Sequence, residues 1–434
     1  MLDVTLAAAG DVPDSALRLD LGAGAPSDPV AVRTAAGRLA RTLPPGTSDL
    51  DVSELGAGGL GATGDVLSAL VEGLRLGSYV FTTARPKPRP TLVRLHGVTD
   101  EAALDAGVRR SDALAWGRDL TNTPAATATP AWLARQAATA LGELGVEVDE
   151  HDPDWLAEHG FGGVLAVGNG SANPPRLIEA RWRPRGTAPS RANGRPHVVL
   201  IGKGITFDTG GLDRKVGDGM LTMKTDMAGG ATVLTALRLI AAERLPVRVT
   251  ALVPAAENAF SGASYRPGDV VTHVGGRTSE ITNTDAEGRI VLADALAWAV
   301  ARLKPTALVD VATLTGAMKV ALGLRSAGLF STSGELAHAL ESASRAAGEP
   351  LWRMPLPVEY ESLLRSDVAD AVNAPGNPGA ITAALFLRPF AGGVPWAHLD
   401  VAGPARAAKD DGALSLGATG FGARTLYEYV AALS

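Results

Sequence analysis

The chain of 434 residues contains no cysteine. That excludes disulfides, thiolate nucleophiles and every metal site built on sulfur, so any metal here must sit on oxygen and nitrogen ligands. Aromatic residues make up only 5%, and the cores must therefore be built from Ala, Val and Leu. Uninterrupted apolar runs are short as well. Stretches such as Val291 to Leu303 are broken by Asp294 and Arg302 and fall below the ~18 residues that a bilayer helix needs. Charge of one sign is also lacking: a formal balance of -6 argues against a nucleic-acid surface spread over the whole protein. The first ten residues carry Asp3 and no basic segment, and do not read as a secretory signal. Together these absences predict a soluble, cytoplasmic protein with no membrane partner.

What is present is a globular composition, 46% hydrophobic with 51 Gly and 28 Pro, on a chain long enough for two or three domains. Residues 1–110 mix short apolar segments with Gly56 to Gly64 (GAGGLGATG) and Arg85 to Pro90 (RPKPRP), the second of which reads as a loop, and hold no catalytic cluster. From Ser111 the pattern changes. Thr129-Pro130 opens a helix running to Leu144. Apolar strands then recur at His197 to Ile201, Val247 to Val253, Thr306 to Thr313 and Trp396 to Ala402. Helical patterns separate them: Val233, Leu237 and Ile240 share one face, as do Leu292, Leu296, Ala299 and Leu303 before Pro305. This alternation predicts an α/β fold with a mostly parallel sheet flanked by helices over residues 111–434, preceded by a smaller α/β N-terminal domain over 1–110.

The chemistry-bearing residues follow the strands, where ligands of open α/β sheets collect. After HVVLI come Lys203, Asp208 and Lys215 in GKGITFDTGGLDRK, then Asp226 in MKTDM; Asp285 and Glu287 lie in NTDAEGR before a helix. Asp208, Asp226, Asp285 and Glu287 are thus brought close to buried strands. Ionised carboxylates there need protonation, cationic side chains or a metal ion. With no cysteine and no HExxH pair, an oxygen-rich site with two divalent ions is the reading that uses all four. Singly, Asp226 and Asp285 are also candidate helix N-caps. The two-residue spacing of Asp285 and Glu287, in an extended segment, would point both the same way. The GKG element fails as a nucleotide loop: Gly204 stands where a Walker motif needs Ser or Thr, and Phe207 stands where a dinucleotide motif needs glycine.

Taken together, GKGITFDTGGLDRK, MKTDM and NTDAEGRIVLADAL closely resemble the metal and catalytic segments of the leucyl aminopeptidase, or cytosol aminopeptidase, family of dinuclear metallo-exopeptidases. DLTNTPA at 119–125, SGASYRPGD at 261–269, DVATLTGAM at 310–318 and GNPGAITAALFL at 376–387 extend the resemblance over residues 111–434. It implies one metal on Asp208, Asp285 and Glu287 and another on Lys203, Asp208, Asp226 and Glu287, with zinc or manganese as the ions. It further implies a metal-bridging hydroxide as nucleophile, Lys215 as the group that stabilises the oxyanion, and Arg289 as the holder of a bicarbonate base. Met223, Thr313 and Gly316 correspond to the wall that receives an apolar N-terminal side chain of a peptide substrate. The family also implies a variable N-terminal domain at 1–110 and a homo-hexamer. His273 and His398 need not be ligands and read as satisfied or surface histidines. Departures from the family pattern at Met227 to Ala231 and at Phe260 touch no ligand position and bear on substrate fit. A structural or DNA-binding regulator is the alternative; the loss of a ligand would mark it, and none is lost. A two-metal phosphoesterase would share the metal chemistry, but neither the lysine ligand nor NTDAEGR suggests one.

Overall fold

The structure is a computed structural model and describes residues 1–8, 12–20, 27–55, 64–82, 92–184 and 196–434. The RPKPRP segment and all but the last residue of GAGGLGATG lie outside the described residues. The chain divides into two units, one formed by Met1–Asp119 with Arg406–Thr419, the other by Leu120–Ala405 with Gly420–Ser434.

In the first unit four strands pair in parallel: β1 (Asp3–Leu6), β2 (Leu17–Arg18), β3 (Thr47–Asp51) and β4 (Leu92–His96), in the order β1-β4-β3-β2. The connections include α1 (Pro29–Thr42) and α2 (Gly64–Gly77). Asp28 caps α1 by accepting from the Val30 amide, and Pro29 supplies the preset φ of a first helical turn. The two helices cross closely because the contact is made of glycine: a Cβ on Gly77 would stand 2.3 Å from the Gly37 carbonyl oxygen. Leu and Val from both helices and from β3 and β4 form the core.

Helix α3 (Glu101–Asn122) carries the chain to the second unit, where α4 (Pro130–Gly142) starts at Pro130 as expected and is capped by the Thr129 hydroxyl. There follow β5 (Glu147–His151), α5 (Pro153–Glu158), α6 (Gly162–Gly168), β6 (Arg176–Trp182), β7 (His197–Gly202) and β8 (Gly204–Asp208). A 3-10 segment, Gly217–Met227, leads into α7 (Ala228–Ala242), then β9 (Arg248–Asn258), β10 (Val270–Thr272), β11 (Thr278–Glu280) and α8 (Glu287–Trp298). The remainder is β12 (Ala307–Ala312), α9 (Gly316–Leu322), β13 (Ala327–Ser331), α10 (Gly334–Ala347), β14 (Leu351–Arg353), β15 (Ala371–Val372), α11 (Gly379–Leu387), β16 (Trp396–Asp400) and α12 (Ala423–Ala431).

The main sheet runs β14-β13-β16-β12-β7-β9-β6-β5, with β8 also pairing β9. Its centre, β16-β12-β7-β9, is parallel throughout, and antiparallel pairings appear only toward the edges, at β13/β16, β9/β6 and β6/β5. Every residue of β7 and β12 is buried, as strands covered on both faces must be. Alternation then sorts the side chains. Val199 and Ile201 join Ile290, Leu292 and Leu296 of α8 in one core, while α7 packs on β7, β9 and β12. The core is largely Ala, Val, Leu and Ile, as the shortage of aromatics requires. No helix among the described residues is long and apolar enough to cross a membrane.

Candidate functional site

The central strands end side by side, and the residues just beyond them converge. Lys203 stands between β7 and β8, its amide donating to Val311 O (3.0 Å) and its carbonyl accepting from Gly230 N (2.7 Å), so its backbone is held between β12 and the start of α7. Its Nζ lies 2.7 Å from Glu287 Oε1 and 2.9 Å from Asp226 Oδ2, and donates to Thr313 O at 3.1 Å. Asp208 ends β8, and Lys215 Nζ lies 2.7 Å from its Oδ2 and 2.5 Å from Asp285 Oδ1. Asp208, Asp285 and Glu287 each offer an oxygen within 4.8 Å of one another. The structure therefore brings all four carboxylates and both lysines together.

The local causes differ from two of the sequence expectations. Neither Asp226 nor Asp285 caps a helix: the residues at the N-cap positions of α7 and α8 are Met227 and Ala286, and neither makes a side-chain cap bond. Asp285 and Glu287 do not alternate along an extended segment either. Asp285 sits in a turn closed by Asn283 Oδ1 on its own amide (2.7 Å), and Glu287 opens α8, so the helix start, not strand alternation, aims the two carboxylates inward. The glycine-lysine-glycine element leads into strand β8 and not into a helix, in keeping with the rejection of a nucleotide loop.

Burial sets the electrostatics. Glu287 is pushed up to about 8 by burial and by the neighbouring Asp208 charge, against the pull of Lys203. Burial raises Asp226, with Asp208 adding to it and Lys203 opposing, and it raises Asp285 with help from Asp208. For the lysines, burial works against the charge, but Asp226, Glu287 and Asp208 together outweigh it at Lys203, and Asp208, Glu287 and Asp285 together do so at Lys215, so both are held well above the ordinary range.

Two lysines do not satisfy the cluster. Glu287 Oε2 is buried and accepts no hydrogen bond, whereas Asp226 Oδ2 has the Lys203 ammonium 2.9 Å away. Carboxylate oxygens left so in a buried site are costly unless a cation reaches them. The donor set of four carboxylates and one amine suits hard divalent cations.

Arg289, on the first turn of α8, is buried and pulled down to about 10 by burial, which leaves it charged near neutrality. Its Nη1 donates to Asn373 O at 2.7 Å, whereas its Nε is buried without a partner. Thr313 donates to Asp226 Oδ1 at 2.7 Å. Met223 is half-buried in the 3-10 segment beside Asp226, and Gly316 opens α9 with no atom within 4 Å of where a Cβ would stand. His273 is buried against Asp294 (2.8 Å) and Ser279 (2.9 Å), and His398 against Asp310 (2.5 Å), so neither pairs with a ligand candidate.

The side chains that orient the cluster escaped the sequence reading. Asn258, ending β9, donates through Nδ2 to Asp208 Oδ1 (2.8 Å) and Thr284 O (3.1 Å). Asn373 accepts from Thr282 N and Asn283 N, donates to Asn283 O, and so braces the turn before Asp285. Position at the end of a central strand could have flagged Asn258; nothing in the sequence flags Asn373.

Fold and donor set define an α/β protein with a cluster of carboxylates and lysines, able to hold a metal ion, at the carboxyl ends of the parallel strands at the centre of its sheet. Comparison with known proteins places it further. The model of the cytosol aminopeptidase family catalytic domain matches residues 115–427. The chain is 42% identical over 428 residues to a probable cytosol aminopeptidase of Syntrophotalea carbinolica, covering 95% of this chain and 84% of that one. It is 44% identical to a probable cytosol aminopeptidase of Roseiflexus castenholzii, over 84% of this chain and 76% of the relative. Among solved structures it is similar to the bottromycin maturation enzyme BotP in complex with Mn, with a TM-score of 0.87 and 38% identity, over 96% of this chain and 90% of that chain. The cytosol aminopeptidase from Coxiella burnetii gives a TM-score of 0.83 at 38% identity, over 93% and 84%. This chain belongs to the cytosol aminopeptidase family and is a hydrolase of the leucyl aminopeptidase type.

Proposed function

We propose that the chain is a two-metal aminopeptidase that removes N-terminal, preferably apolar, residues from peptides. The observation that carries this reading is the meeting of Lys203, Asp208, Asp226, Asp285 and Glu287 in one cluster whose buried carboxylate oxygens are not all hydrogen-bonded. Asp208, Asp285 and Glu287 would hold one ion, and Lys203, Asp208, Asp226 and Glu287 the other, with Asp208 and Glu287 serving both. When bound, zinc or manganese at such a pair polarises the scissile carbonyl and acidifies the attacking water. Manganese is the ion found with BotP.

The chain's own groups divide the remaining work. To act as a ligand, Lys203 must present a lone pair, giving up the proton that Asp226 and Glu287 otherwise hold on it. Lys215 keeps its proton beside Asp208 and, with its side chain 17% exposed, can donate to the oxyanion that forms as the carbonyl is attacked. Arg289, with its unpartnered Nε, can hold a small anion; a bicarbonate there would supply a base for the proton that must reach the leaving amine. Met223, Thr313 and Gly316 would receive the apolar N-terminal side chain. We assign catalysis to residues 111–434 and the family's variable domain to 1–110, and place the enzyme in the cytoplasm as a homo-hexamer acting on peptides.

The test is release of leucine from an amide or p-nitroanilide with zinc, manganese or no added metal, alongside Asp285→Ala and Lys203→Ala. Activity should require metal and fall to background in both variants. Turnover that survives chelation and both substitutions would sink the proposal.

A further inference from the structure

Lys215 reaches the cluster from a loop, and a lysine side chain with four rotatable bonds is only as well placed as the backbone that carries it. That backbone is unusual. Gly210 and Gly211 both take positive φ, at 90° and 63°, in a turn closed by the Lys215 amide on Thr209 O at 2.9 Å. The turn is held against the segment that bears Asp285 through one residue, Thr284, which is fully buried. The Thr284 amide donates to Asp213 Oδ2 at 2.7 Å, and its Oγ1 accepts from the Asp213 amide at 2.8 Å and donates to Gly210 O at 2.7 Å. Its carbonyl accepts from Tyr265 OH at 2.7 Å and from Asn258 Nδ2, the same amide that holds Asp208. A side chain on Gly211 would close to 2.9 Å of Thr284 Oγ1, so the two segments meet with no space between them.

We infer that Thr284 and Asp213 form a reciprocal lock that positions Lys215 against Asp208 and Asp285, making both of them positioning residues for the reaction. The inference rests on the aminopeptidase reading above, which supplies the role of Lys215. Every polar group of Thr284 is used, and its amide and hydroxyl bond to the loop that carries Lys215 and to no metal ligand. A threonine needed only for packing would not have its hydroxyl both accepting from and donating to that loop.

The variants Thr284→Val, which keeps shape and loses the hydroxyl, Thr284→Ser, which keeps the hydroxyl, and Asp213→Ala separate these roles. Thr284→Val and Asp213→Ala should each lower kcat by about 10- to 100-fold, the scale of an ångström-sized misplacement, with KM little changed. Thr284→Ser should retain most of the rate, and all three should bind Mn²⁺ as the parent does, because Lys215 is no ligand. Acetylation of Lys215 by acetic anhydride, followed by peptide mass spectrometry, should quicken several-fold in Thr284→Val and Asp213→Ala as its ion pairs loosen. Unchanged kcat and labelling in Thr284→Val would overturn the inference, as would an equal loss in Thr284→Ser or a parallel loss of Mn²⁺. If the parent fails to cleave leucine p-nitroanilide while the labelling changes as expected, the aminopeptidase reading falls and the lock stands.

Discussion

Gly288 shows how much a single residue decides at this site. It follows Glu287 in α8, and a Cβ there would stand 2.8 Å from both Cε and Nζ of Lys203 and 2.9 Å from Leu314 Cδ1. The lysine tip can move away, so Gly288→Ala should leave thermal unfolding within a few degrees of the parent while lowering activity at least about tenfold, through displacement of the amine. Gly229→Ala makes the opposite contrast. Its Cβ would meet the Val311 carbonyl oxygen at 2.1 Å, and backbone cannot yield so cheaply, so this variant should lose stability by about 1–3 kcal/mol or more in denaturant titration. At this scale the ligand candidates were legible, because carboxylates and lysines that follow buried apolar strands must find a countercharge or an ion there. Thr284 and Asn373 were not, since neutral hydrogen-bonding side chains away from a strand end gain meaning only from partners distant in sequence.

Among the elements, β7 carries chemistry at one end and a buried titrating group at the other. His197 begins it, with Nδ1 3.2 Å from Leu303 O and Nε2 3.0 Å from Thr250 Oγ1. Burial, reinforced by the Arg248 charge, pulls this histidine down from 6.5 to about 4. A base with a depressed folded pKa is neutral in the native state while the unfolded chain takes up a proton below 6.5. Stability should therefore be lost as pH falls from 6.5 toward 4, by up to about 3 kcal/mol from this group. Thermal unfolding of His197→Gln should show a flatter decline across that window than the parent; an equal slope would place the acid sensitivity elsewhere. The central strands and α7 were readable because a run buried on both faces, or apolar residues at helical spacing, is a local signal. Short edge strands such as β13 and β14 were not singled out, and no local pattern tells that β13 runs antiparallel to β16.

For the whole molecule, the proposed hexamer has a direct check: gel filtration or mass photometry should give six times the single-chain mass, and elution as a monomer would contradict it. The domain boundary expected at 110/111 stands beside a division into two units in which Arg406–Thr419 groups with the first, where Arg41 and Arg118 donate to its carbonyl oxygens. By itself the sequence determined the α/β class, the parallel centre, the family resemblance and the identity of the carboxylates and lysines. The class and the parallel centre follow from hydrophobic periodicity, the carboxylates and lysines from residue types whose burial demands a partner, and the resemblance from the motifs GKGITFDTGGLDRK, MKTDM and NTDAEGRIVLADAL. Tertiary structure alone decided that both lysines pair with carboxylates in one cluster, that the start of α8 aims Glu287 inward, that Thr284 ties down the loop carrying Lys215, and that Asn258 holds Asp208. Such geometry depends on distances between segments far apart in the chain, and no spacing along the chain encodes them.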